Sequence, residues 1–222
     1  MPPGRTTRRA VRRAVRAARP RRVRLETDQR RAQLLALARN AFSDRAYDDV
    51  SIDDIAREAK ISKGLLYHYF PTKRDLYVAG LREIAAELVR AVTSVPADLV
   101  PIERARAGLD AYLDHITRHA RAYVSLMRGG IGSDPEVADV VDGVRRLLAD
   151  TFLRDQPFAP LFVGNARFET AVRGWIGFVE HATLAWIVNP RLSRVELREM
   201  LVELAFAMVQ ALAPPMFKPR LG

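Results

Sequence analysis

Residues 62–75 read SKGLLYHYFPTKRD, a run with three basic side chains (Lys63, Lys73, Arg74) around three polar-tipped aromatics and no acid before Asp75. Such a surface suits an anionic partner. Lys63 can reach a base acceptor such as guanine O6 or N7. Tyr67 and Tyr69 offer hydroxyls to phosphate oxygens while their rings pack at the rim. Gly64, without a side chain, lets a backbone come close to base edges or sugar. Lys73 stands in the first turn of the next helix and adds a second phosphate clamp beside that helix's N-terminal dipole. Aromatics at helical spacing are equally what a core requires, so the segment alone leaves both readings open.

Other groups that could do chemistry are sparser. His115 and His119 stand at i and i+4, a spacing that can chelate a metal. No third ligand is evident, and Arg118 and Arg121 crowd the pair, so no metal and no cofactor are expected. GGIG at 129–132 does not follow a strand and is no nucleotide loop. No nucleophile–base arrangement or acid pair stands out, so an enzyme is not expected. The chain has no cysteine, which excludes disulfides and thiolate sites and suits a reducing cytoplasm, the expected location.

The elements that must position these residues follow a period of 3.6, and no convincing period-2 strand appears. The fold class is all-α with about nine helices. A first helix runs from about 28 to 43, with Leu34, Leu37, Ala38, Ala41 and Phe42 inward. Ser51 opens SIDDIAREA as a capping box with Asp54, and Ile52, Ile55 and Ala56 form its apolar side. Lys60 and Ile61 make a tight turn; Ser62 caps the third helix, which Pro71 stops. Leu66 and Phe70, at i and i+4, face inward against Phe42, Ile52 and Ile55. Thr72 and Asp75 box a long helix to about 93, and further helices span about 102–119, 121–127, 135–153, 166–188 and 194–212. Ser133 with Glu136, and Ser193 with Glu196, are read as two more boxes.

Charge is unevenly placed. Of the net +10, residues 1–31 supply it all, with twelve arginines against Glu26 and Asp28. Such a block repels itself and seeks polyanions. Either it is a dispensable solvated tail or it is a DNA-contacting arm. Residues 1–26 are accordingly set apart as a basic, disordered tail, and 214–222 as a C-terminal tail. The apolar runs are broken well before a membrane span of about 18 residues. The arginine-rich start lacks the apolar stretch of a secretory signal, so no membrane is expected.

Two short helices joined by a tight turn describe a helix-turn-helix. Residues 30–76, through the pattern LLALARNAFSDRAYDDVSIDDIAREAKISKGLLYHYFPTKRDLY that closes on Tyr77, resemble without a gap the N-terminal domain of the TetR family of bacterial transcriptional regulators. The resemblance implies a three-helix DNA-binding domain over 27–74 and a larger helical effector-binding and dimerisation domain over 75–213. It implies a homodimer whose second helices enter successive major grooves of a palindromic double-stranded operator, and a repressor that a small effector releases. By that carry-over Lys63, Gly64, Leu65 and Tyr69 face DNA, and Tyr67 and Lys73 match phosphate-contacting positions. Ser51 starts a helix whose amide end meets backbone. Ser62 and His68 complete the set. Position 65 often holds a small hydroxyl residue in relatives; leucine here points to an apolar contact such as a thymine methyl.

Helix 166–188 is apolar on two sides, with Trp175, Phe178, Val179 and Trp186 on one stripe and Ile176, Leu184 and Ile187 on another. Both stripes must be buried, one inside and one against a partner. With helix 194–212 it forms the expected dimer surface, Gly174 and Gly177 allowing close approach. Candidate walls of an apolar pocket are Tyr112, Ile116, Met127, Phe152, Phe168, Trp175, Phe178 and Trp186, with Tyr112, His115 or Glu180 orienting a polar end; each also suits plain core packing. An apolar or amphipathic effector is expected. A nucleoid-type protein binding DNA without sequence preference through its arginine block is the alternative.

Overall fold

The structure, a computed structural model, describes residues 29–154 and 158–213. The arginine-rich segment 1–26 and the tail 214–222 lie outside the described residues.

Among the described residues all regular elements are helical. They are α1 (29–44), α2 (Ile52–Glu58), α3 (Lys63–Tyr69), α4 (Lys73–Thr93), α5 (Pro101–Arg118), α6 (Ala120–Arg128), α7 (Pro135–Arg154), α8 (Ala166–Val188) and α9 (Arg194–Leu212). Short 3₁₀ turns fall at Tyr47–Asp49, Gly130–Ser133 and Ala159–Phe162.

Local chemistry starts most of these helices where the sequence reading puts them. Ser62 Oγ accepts from the Leu65 amide at 3.1 Å, and Thr72/Asp75 and Ser193/Glu196 close both arms of their boxes. Two boxes differ. Ser51 Oγ accepts from the Asp54 amide, but Asp54 turns its carboxylate to Arg57 at 2.8 Å, so the return arm is missing. Ser133 closes a 3₁₀ turn, and Asp134 is the group that caps α7, accepting from the amides of Glu136 and Val137 at 3.0 and 3.3 Å. Proline at the first helical position dictates this, because the residue before it is then the cap. Lys60 takes the left-handed conformation (φ 56°) that the α2–α3 turn requires.

Three clusters of buried side chains hold the helices together. The first joins Leu34, Ala38 and Phe42 of α1 to Ile52, Ile55 and Leu66 of α2 and α3, and continues into Leu76, Val78 and Leu81 of α4. Val137 of α7 belongs to it. Each Leu, Ile, Val or Phe side chain among them, fully removed from water, contributes about 1.5–3 kcal/mol. Gly80 lets α4 lie against α1: a Cβ there would stand 3.4 Å from the Ala38 backbone. The second cluster packs Leu109, Leu113 and Ile116 of α5 on Val179 of α8 and Leu197, Leu201 and Val202 of α9. The third gathers Ala149, Phe162, Phe168, Val172 and Ile176, with the Phe162 and Phe168 rings stacked at 3.8 Å.

Candidate DNA-binding face and interior cavity

The inward anchors of α3 are as the pattern requires: Leu66 and Phe70 are buried in the first cluster. That fixes which residues point outward. Lys63, Gly64, Leu65, Tyr67 and His68 are all exposed, Leu65 at 40%. Tyr69 is half-buried against the first cluster, its ring edge-on to His68. A Cβ at Gly64 would meet nothing closer than Ser62 Oγ at 4.0 Å, so internal packing does not demand the glycine. Ser51 and Ser62 spend their hydroxyls as caps.

The cations of this face are held by neighbours. Lys63 Nζ lies 2.9 Å from Asp53 Oδ1 of α2, and this carboxylate raises the ammonium's pKa. Lys73 Nζ sits 4.5 Å from the centre of the Tyr47 ring and donates to the Asp48 carbonyl at 3.4 Å. Arg74 turns away from α3 to the carboxylate of Asp134, whose pKa it lowers.

A cavity of about 230 Å³ runs between α4, α5, α6, α7, α8 and α9. Of the walls anticipated from sequence, Tyr112, Ile116, Met127, Phe152 and Trp175 line it. Phe168, Phe178 and Trp186 do not. Phe168 is consumed by the stack with Phe162, and Phe178 is 43% exposed on the outer side of α8. Trp186 donates its Nε1–H to the Leu192 carbonyl at 2.7 Å, tying down the α8–α9 turn.

The polar groups of the wall are few: Tyr112, Tyr123 and Glu180 find partners, whereas Trp175 Nε1 and His119 Nδ1 are buried without a hydrogen bond. Tyr112 and Tyr123 hydroxyls are 3.2 Å apart, and Tyr123 also donates to the Glu180 carbonyl at 3.3 Å. Glu180 takes the Arg145 fork at 2.8 and 2.9 Å, so its charge is matched. His115 is buried and its pKa is pushed down to about 4, by desolvation first and by His119 and Arg118 next. Its ring lies 5.0 Å from that of His119. Among the described residues no group of three His, Cys, Asp or Glu side chains could hold a metal.

At its other end the cavity touches Phe42, Ser43 and Tyr77. Phe42 and Tyr77 belong to the first cluster, their rings 4.9 Å apart, so the interior space reaches the packing under α2 and α3. Spacing within one helix marks Phe42 as inward but gives no sign that Phe42, Ser43, Tyr77 or Tyr123 meets the cavity.

The outer side of α8 carries an exposed stripe of Gly174, Gly177, Phe178, His181, Ala185 and Val188. A Cβ at Gly174 or Gly177 would meet nothing within 4 Å. Leu204, Ala207 and Ala211 give α9 a matching exposed strip.

Residues 34–80 match the family model described as bacterial regulatory proteins, tetR family, and residues 101–208 match the tetracyclin repressor-like C-terminal domain. The chain belongs to the TetR family. A TetR-family transcriptional regulator from Streptomyces coelicolor has a crystal structure 33% identical in sequence, with a TM-score of 0.73 over 83% of this chain and 82% of that one. The HTH-type transcriptional activator FasR of Mycolicibacterium smegmatis is 34% identical over 116 residues, 52% of this chain and 53% of the relative. The HTH-type transcriptional regulator EthR of Mycobacterium tuberculosis is 28% identical over 116 residues, 51% and 53% of the two chains. The chain thus spans about half the length of these two curated relatives. The family it belongs to is one of bacterial regulatory proteins. Among the described residues no helix is long and apolar enough to cross a membrane.

Proposed function

We propose that the chain is a ligand-responsive, sequence-specific repressor, acting in the cytoplasm as a homodimer on a palindromic operator. Residues 27–74 read the DNA, and 75–213 bind the effector and the second copy. In this reading Lys63, Gly64 and Leu65 meet bases, Tyr67, Tyr69, Lys73 and the amide ends capped by Ser51 and Ser62 meet the backbone, and His68 completes the DNA-facing surface. The exposed stripes of α8 and α9 pair across a two-fold axis.

The single observation that carries the regulatory half is the cavity's extent, from Trp175 to Phe42 and Tyr77. An occupant there touches side chains that hold the three-helix unit. Its walls favour a small, neutral, apolar or amphipathic molecule, since Glu180 is paired with Arg145 and His115 stays uncharged at neutral pH.

Selection of duplexes from a random pool by the full chain tests the DNA half. A regulator enriches a palindrome and binds it at least about 10³-fold more tightly than random sequence. A ratio near one would support the nucleoid-type alternative. A reporter under the enriched sequence separates modes: repression requires higher expression without the regulator, and lower expression would make it an activator, as FasR is named.

A further inference from the structure

Asp134 stands at the start of α7, far in sequence from the three-helix unit, yet its carboxylate serves both. Oδ1 caps α7 through the Glu136 and Val137 amides. The same oxygen accepts from Arg74 Nη2 at 2.7 Å, and Oδ2 accepts from Arg74 Nε, giving a fork with both carboxylate oxygens engaged. Glu136 adds a contact to Arg74 Nη1 at 3.4 Å.

Exposure decides which polar link here matters. Arg74 and Asp134 are 34% and 18% exposed, whereas Arg121 and Asp49, which join α6 to the Tyr47–Asp49 turn, are 68% and 46% exposed. The His119–Asp44 approach is 3.7 Å long. Exposed pairs contribute little, and the shielded fork fixes two helices in one geometry. Beside it Val137 is wholly buried in the first cluster, so apolar packing and charge act at one junction.

Arg74 is the second residue of α4. Lys73 precedes it, and the Thr72 cap and Pro71 lead back to the end of α3. We propose that Asp134 is a positioning residue for DNA binding: through Arg74 it sets the first turn of α4, and with it Lys73 and the angle of α3. Further along, α7 brings Val140, Val141 and Val144 to the cavity wall, so one helix touches the cavity and ends on this fork. The inference rests on α3 and Lys73 facing DNA.

The test uses the full chain and the duplex enriched by it from random DNA. Asp134→Asn keeps a good capping acceptor and removes the charged fork; Arg74→Gln leaves the cap intact and removes the fork from the other side. Each should weaken operator binding about tenfold, within the usual range of coupling between sites. The double variant should be no worse than either single one. Each should also lose preference for the native half-site spacing over a spacing lengthened by one base pair, a readout that simple loss of stability does not move. Thermal melts followed by helical circular dichroism give the folded fraction. Unchanged operator affinity, additive losses, or an unaltered spacing preference in folded variants overturns the inference alone. No enrichment by the wild type overturns the DNA-facing reading, and the inference with it.

Discussion

Lys63 Nζ is 2.9 Å from Oδ1 of Asp53, so the cation that opens α3 is already paired with an acid of α2 before any DNA is present. The carboxylate orients the ammonium and also cancels part of its pull on phosphate. Removing each partner therefore has a different effect.

Lys63→Ala should weaken operator binding by ~1–3 kcal/mol and relax one base preference. Asp53→Asn should instead tighten binding to random DNA more than to operator and steepen the salt dependence by about one phosphate charge. Competition titrations at two salt concentrations measure both. Equal losses on operator and random DNA for Lys63→Ala would show that it reads no base.

The exposed apolar strip predicts the oligomeric state. Phe178→Glu or Leu204→Lys adds a charge where two copies would meet, on side chains 43% and 42% exposed in the single chain. The fold should survive, because neither side chain belongs to a buried cluster. Sedimentation velocity should report a shift from dimer to monomer, with weaker operator binding. Variants that remain dimeric would put the interface elsewhere.

His115 predicts an acid limb of stability. Its folded pKa of about 4 lies below the ordinary value of 6.5, so the unfolded chain binds a proton that the folded chain refuses. Stability is full above about 6.5 and falls as pH drops toward 4, by up to ~3 kcal/mol at about 1.4 kcal/mol per unit. Arg118 and His119 deepen the effect, and Glu87 opposes it. Urea titrations between those limits should show the slope in the wild type and a flatter one in His115→Asn. An identical slope in both would assign the acid limb to other groups.

Phe42 is at once core and cavity wall. Phe42→Ala should cost ~3–5 kcal/mol of stability and enlarge the cavity at its DNA-proximal end. Denaturant melts with and without a neutral apolar fluorophore such as diphenylhexatriene would show both: a lower midpoint, and more probe bound per folded molecule. A loss under about 1 kcal/mol would mean that neighbouring rings close the space.

Deleting residues 1–26 removes ten arginines and Glu26, a drop of nine in net charge. Operator affinity should fall and its salt dependence lessen, with sequence preference intact. Complete loss of binding would transfer the DNA-binding role to the arginine block.

How legible all this was depends on how local each signal is. Thr72 with Asp75, and Ser193 with Glu196, act over three residues on the chain's own amides, so spacing alone reveals them. Where a local competitor existed, spacing misled. Arg57 draws off the carboxylate of Asp54, and Pro135 hands the cap from Ser133 to Asp134. The cavity was half readable. Helix α8 is apolar on both sides, and nothing in its own sequence says that Trp175 turns inward while Phe178 turns out. Tyr123 and the Arg74–Asp134 fork depend on residues brought together from distant parts of the chain, and such pairs leave no periodic trace.

The first cluster does not stop where α3 ends. It runs through Leu76, Tyr77, Val78 and Leu81, and it takes in Val137 from α7. A chimera that grafts this DNA-reading head onto another regulator at residue 74 would therefore cut through its packing. A junction beyond Leu81, with a valine-sized group supplied at position 137 and an acid at 134, would transplant the head with its foundations.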